Sequence, residues 1–413
     1  VKYLDEFRDL SLAKRLVAEI RRLATNRWTI MEVCGGQTHS ILRHGIDVEL
    51  QDVVELIHGP GCPVCVTSVE AIDFAQQLSQ QPDVMLTTFG DMLRVSGSRR
   101  TLMETRSSGG NVRPVYSPLD AVRLASENPH LHVVFFAVGF ETTAPATALA
   151  IRQAEQRGLG NFSVLAAHVR VLPAMTLLAS SRDCRIQAFL AAGHVCTVTG
   201  YEQYQSFATR FAMPVVVTGF EPVDLLEGIR VCVDSLQKDR AGNKCPVPFV
   251  QSTRRASSSQ KVPDTYFPLI AKGAPSVINA YSRMTCLKGN LAAQQIVDSV
   301  YETCDRIWRG FGLIRDGGFG IRETYHRFDA ERRFEHLLNN LPVLPEPRSE
   351  CRSGEVLSGK IKPTQCDAFS IRCSPDAPLG APMVSSEGAC AAYYRYVTHQ
   401  PALTALQPTK QDR

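Results

Sequence analysis

The chain has 413 residues, 44% of them hydrophobic, 21% charged and 8% aromatic, which at ~100–200 residues per domain describes a globular protein of two to four folding units and excludes a disordered or fibrous one. Forty-five Lys and Arg against 41 Asp and Glu leave a formal net charge of +4, dispersed without a basic arm, so neither nucleic acid nor a membrane surface is an expected partner. No apolar run approaches the ~18–20 residues of a spanning helix, the N-terminus lacks the basic-then-apolar layout of a secretory signal, and a cytoplasmic location is expected.

Residues 10–24 place Leu12, Leu16, Ile20 and Leu23 on one face, with Lys14, Arg15, Arg21 and Arg22 outside it, the pattern of a surface helix. Short β-type apolar runs follow at Trp28–Val33, Val53–Ile57, Val84–Thr88, Val133–Val138, Ser163–Val169, Val195–Thr199 and Pro214–Thr218, separated by helix-like stretches. Runs without alternation imply burial on both faces, so the expected fold class is α/β, with open, mainly parallel sheets in two lobes at 1–118 and 119–245. Three of the runs end on Gly90-Asp91, Gly139-Phe140-Glu141 and Gly219-Phe220-Glu221, where open α/β sheets build their crevices. The repeated Gly-Phe-Glu hints at related lobes. Residues 241–263 look like a polar loop, and residues 246–345 are expected to be a largely helical segment, with helical patterns from about 267 to 340, packing back on one lobe. Prolines 342, 345 and 347 end that block, and a distinct C-terminal segment is expected over 346–413.

Thirteen cysteines, an odd number in a chain large enough to fold without staples, point to metal binding or thiol chemistry rather than a disulfide framework. Cys351, Cys366, Cys373 and Cys390 are separated by fourteen, six and sixteen residues. Four thiolates in a proline-rich segment with little core of its own suit zinc or an iron-sulfur cluster better than four buried free thiols, and the spacing does not separate the two metals. Gly59-Pro60-Gly61-Cys62-Pro63-Val64-Cys65 places a CxxC after a strand, the arrangement of a redox dithiol or of half a zinc site. Met31-Glu32-Val33-Cys34-Gly35-Gly36-Gln37-Thr38-His39 offers a thiolate and an imidazole, Cys34 and His39, beside paired glycines that let a ligand approach closely. A cysteine-protease pairing of Cys34 with His39, His168 or His194 has no sequence link to support it. The P-loop look of Gly354–Lys360 fails at Ile361, and Gly310-Phe-Gly312 lacks the third glycine of a dinucleotide fingerprint. His130, His132, His326, His336 and His399 read as surface or satisfied residues, and Cys184, Cys196, Cys232, Cys245, Cys286 and Cys304 as core thiols.

The combination is more specific than its parts. The strings MEVCGGQTH, HGPGCPVCV, TFGDMLRV, AVGFETTAPATA, GHVCTVTG, VTGFEPVDLL and PMVSSEGACAAYYRY, in this order between about residues 28 and 397, strongly resemble the HypD family of NiFe-hydrogenase maturation. The resemblance implies two α/β lobes and a C-terminal 4Fe-4S cluster held by Cys351, Cys366, Cys373 and Cys390. It implies a scaffold with redox chemistry rather than a conventional turnover enzyme. With a HypC-type chaperone such a scaffold assembles an iron carrying cyanide and CO, the Fe(CN)2CO group, taking cyanide from a HypE-type thiocyanate. By position, Cys34 would be the iron-site thiolate, Cys62 and Cys65 the redox dithiol, and Asp91 and Glu141 would line the cleft. Gln37 stands where many members have His, leaving His39 as the candidate imidazole. Ser96, Leu190-Ala191-Ala192 and Ser353 also depart from the family pattern. The rival functions are a free-standing thiol-disulfide oxidoreductase carrying a cluster and a zinc-stabilised binding module.

Overall fold

Valine, isoleucine and phenylalanine dominate the short apolar runs, and residues of this kind fit a pleated surface buried on both sides. In the computed structural model, which describes residues 5–240, 276–341 and 350–398, these runs build two parallel sheets. The strands are β1 (Trp28–Glu32), β2 (Val54–His58), β3 (Val84–Thr88), β4 (Val112–Pro114), β5 (His132–Gly139), β6 (Phe162–His168), β7 (Ala188–Ala192), β8 (Val215–Thr218) and β9 (Val277–Asn279), followed by β10 (Tyr301–Trp308) and β11 (Gly312–Ile321). One sheet has the order β2-β1-β7-β8-β9, the other β4-β3-β5-β6, and β10-β11 is an antiparallel hairpin. The expected α/β class with two open parallel lobes is what the chain forms. No helix among the described residues is long and apolar enough to cross a membrane.

Helix Leu10–Leu23 starts where the Asp9 carboxylate accepts the N–H groups of Ser11 and Leu12, and it buries Ala13, Leu16, Val17 and Ile20. It packs beside helix Pro222–Arg240 on one face of the first sheet, against Ile30, Leu190 and Val216. The neighbouring residues Met31, Phe189, Ala191 and Val217 point the other way. They join a core that also contains Leu86, Val134, Phe136 and Leu165 of the second sheet. The lobes therefore share one apolar core, and Cys34, Cys62 and Cys65 lie in it.

Three expectations are corrected. The boundary at 118/119 does not separate the lobes: the first sheet takes β1 and β2 from the start of the chain and β7, β8 and β9 from far downstream, and the second sheet is inserted between them. Val195–Thr199 is not a strand but part of helix Gly193–Thr199. Val195 and Cys196 are buried on the inner side of that helix and Thr197, Val198 and Thr199 are half-buried, while the alanine-rich β7 just before it fills the sheet position. Over its described residues, 276–341, the block before Pro342 is not largely helical, because Tyr301–Trp308, buried at its two ends and mostly exposed between, pairs with Gly312–Ile321. It does pack back on a lobe, with Val297, Val300, Tyr301, Ile321 and Phe328 in the core of the second sheet. The polar loop over 241–263, Cys245 and His399 lie outside the described residues.

Candidate functional site

Parallel sheets open a crevice where the chain leaves neighbouring strands in opposite directions. In the first sheet that point lies between β1 and β7, since β1 continues to β2 on one side while β7 continues to β8 on the other. In the second it lies between β3 and β5. Cys34 and His194 follow β1 and β7; Asp91 and Glu141 follow β3 and β5.

Cys34 caps helix Gly35–Arg43. Its backbone N–H donates to Glu32 Oε2 at 2.8 Å, and the Gly35 N–H donates to Gly61 O at 3.0 Å. The CxxC loop thus lies directly on the Cys34 backbone, and a Cβ at Gly61 would stand 2.4 Å from Cys34 N and Cα. That approach is what requires glycine there. Burial and the Glu32 charge push the Cys34 thiol up to about 12, against the pull of the Gly36 and Gln37 N–H groups at the helix start. His194 Nε2 stands 3.5 Å from Cys34 Sγ, and burial lowers the imidazole's pKa, favouring the neutral ring. The Phe220 ring packs on His194 at 5.1 Å between centroids and also borders Gly36.

Cys62 and Cys65 are buried and joined as a disulfide, with helix Pro63–Val66 packed against β5. His39 is not the imidazole at Cys34: it packs edge-on against Tyr396. Gln37 is fully buried, its Nε2 donating to the carbonyls of Ala191 and Thr218 and so tying the ends of β7 and β8. Asp91 Oδ2 accepts from the Ser386 N–H and hydroxyl at 3.3 and 3.0 Å, and so clasps the C-terminal segment. Glu141 Oε1 accepts the Val171 N–H at 3.0 Å, and burial raises its carboxyl pKa.

The C-terminal segment lies across both lobes. Leu42 packs with Cys373, Ala392 and Tyr393, and Arg185 donates to Gly359 O. Cys351, Cys366, Cys373 and Cys390 share one neighbourhood. Burial, followed by the other three thiols, raises Cys390 well above the usual thiol range. Cys373 Sγ accepts the Leu379 N–H at 3.4 Å, and Gly380 leaves the space beside Cys351 Sγ. As placed, no group of three or more His, Cys, Asp or Glu side chains among the described residues is arranged to hold a metal ion. Of the remaining thiols, Cys196 and Cys232 are core residues as expected, Cys184 and Cys304 are half-buried, and Cys286 is exposed. His132 is satisfied by Ser163.

Sequence reasoning missed His58, which donates from Nδ1 to Glu32 at 2.7 Å, and Tyr393, whose hydroxyl lies 2.9 Å from His58 Nε2. A carboxylate in an apolar strand and a histidine ending another were the available signals.

The HypD family, described as "Hydrogenase formation hypA family", matches residues 11–269 and 264–397. The chain belongs to the HypD family. It is 41% identical to the hydrogenase maturation factor HypD of Escherichia coli K12, over 96% of this chain and 98% of that protein. It is 40% identical to the factor of the same name from Rhodobacter capsulatus over the same shares. For the Azotobacter vinelandii factor the identity is 40% over 98% of this chain and all of its relative. The family strings noted above supply residues to both crevices and to the segment that crosses them.

Proposed function

We propose that the chain is a hydrogenase maturation factor acting in the cytoplasm as an assembly scaffold. Cys34 holds a ferrous ion, in company with a HypC-type chaperone, while cyanide and CO are added, and cyanide comes from a HypE-type thiocyanate donor. The observation that carries this is the setting of Cys34: a thiol at the first crevice, 3.5 Å from His194 Nε2, with the CxxC loop resting on its backbone. A thiol held protonated by burial and a nearby carboxylate becomes a thiolate when a cation takes the proton's place. Soft thiolate and neutral imidazole suit ferrous iron while leaving positions open for cyanide and CO.

Releasing cyanide from a thiocyanate R–S–CN takes two electrons and leaves R–S⁻ and CN⁻. The Cys62/Cys65 pair supplies both once its disulfide has been reduced to a dithiol by an external thiol reductant. One thiolate attacks the thiocyanate sulfur and expels cyanide; the other closes the disulfide and releases R–S⁻, the two thiol protons passing to solvent. The four C-terminal cysteines fit an all-thiolate metal centre by their donor chemistry, since mutually repelling thiolates are stabilised by a cation and Cys373 Sγ already accepts a backbone N–H. When bound there, a 4Fe-4S cluster supplies one-electron transfer.

The test is infrared spectroscopy on the chain co-purified anaerobically with its chaperone. Wild type should carry CN and CO bands; Cys34→Ala should fold, keep its other iron and lose those bands. Normal bands in Cys34→Ala refute the scaffold role. A general dithiol oxidoreductase shows no bands even in wild type and loses activity only on changing Cys62 or Cys65.

A further inference from the structure

A carboxylate buried inside a sheet is costly unless its oxygens are satisfied. Glu32 has no exposed surface. Its Oε2 accepts the Cys34 backbone N–H at 2.8 Å, and its Oε1 accepts from the Thr38 hydroxyl and from His58 Nδ1. With Nδ1 donating to Glu32, Nε2 of His58 faces the Tyr393 hydroxyl, which donates to it at 2.9 Å. Tyr393 closes helix Ala389–Tyr393, which also contains Cys390. An unbroken chain of hydrogen bonds therefore runs from the four-cysteine segment, through the last residues of β2 and β1, to the backbone of Cys34.

We infer that Tyr393 is a positioning residue for Cys34, acting through His58 and Glu32, so that the seating of the four-cysteine segment is part of the Cys34 site. The hydroxyl fixes the His58 ring, the ring fixes one carboxylate oxygen, and the other oxygen then holds the Cys34 N–H and the first turn of helix Gly35–Arg43. Another tether of this segment, Ser386 to Asp91, ends on the other lobe. The consequence for iron loading rests on the role proposed for Cys34; the positioning itself does not.

Tyr393→Phe in the full chain keeps the ring on His58 and removes only the hydroxyl. Hydrogen exchange of the peptide covering residues 33–43 should become about tenfold faster, the effect of one lost buried hydrogen bond on local opening. Exchange of the turn at 385–388 should not change, and the CN and CO bands of the chaperone complex should shift or weaken. His58→Gln, which keeps one donor and one acceptor at that place, should give a smaller acceleration and serves as the readout if Tyr393→Phe fails to fold. Ser386→Ala is the control and should leave the 33–43 peptide unchanged. Unchanged exchange in Tyr393→Phe, or equal acceleration in Ser386→Ala, overturns the inference. Absence of CN and CO bands in wild type would refute the role of Cys34 alone, and the exchange data would still decide the positioning.

Discussion

The two crevices are built by the same topological device and filled with opposite chemistry. At the first, glycines bring a second loop onto the Cys34 backbone, and the side chains are a thiol and an imidazole that face each other. At the second, Asp91 and Glu141 are both engaged in holding backbone: one clasps Ser386, the other accepts from Val171. A strand-order reversal thus supplies a place for chemistry without choosing it. The residues after the strands give one crevice a thiol and an imidazole and make the other a clamp for the segment that roofs the first.

The two crevices depend on each other most through that shared segment. If the four cysteines hold the cluster proposed above, Cys373→Ser should abolish its iron and sulfide and loosen the C-terminal segment, as iron, sulfide and protease-sensitivity measurements would show; full iron and sulfide content would refute the ligand assignment. Next in size is a pair of glycine substitutions. Gly61→Ala forces a Cβ onto the Cys34 backbone and should cost about 3 kcal/mol in chemical denaturation, whereas Gly90→Ala at the second crevice meets nothing within 4 Å and should change stability by less than about 0.5 kcal/mol. Equal effects would mean that the crevices are equally crowded. Asp91→Ala removes the clasp and should cost about 1–2 kcal/mol, with faster proteolysis near Ser386 than in the wild type.

The smallest effect is a pH slope. Burial raises the Glu141 carboxyl above its ordinary 4.5, so the folded chain keeps a proton that the unfolded chain has released. Its stabilising contribution is fully present below pH 4.5 and is lost as pH rises through the higher folded value. Glu141→Gln keeps an acceptor for Val171 and should remove that slope. A denaturation midpoint with the same pH dependence in both proteins would show that the carboxyl ionises as readily folded as unfolded.

Local patterns alone determine much of this protein. The 3.6-residue spacing of Leu12, Leu16 and Ile20 defines the first helix, and the valine-rich runs mark seven strand positions of which six are strands, because helix periodicity and strand burial are properties of neighbouring residues. Val195–Thr199 and the β10-β11 hairpin escaped because β-branched residues also fit a helix packed on one side and because Tyr301–Trp308 has no clean two-residue alternation to mark it as a strand. The motif strings carry the family and single out Cys34, Cys62, Cys65 and Cys390, while Cys351, Cys366 and Cys373 stand out by their crowding in a proline-rich segment. Only the tertiary structure decided that β7 lies beside β1, and with it that His194 rather than His39 faces Cys34. The same holds for the path from Tyr393 through His58 to Glu32. Those contacts join segments brought together by crossovers between sheets, and a crossover's destination depends on which distant strands pair rather than on the periodicity of residues next to one another.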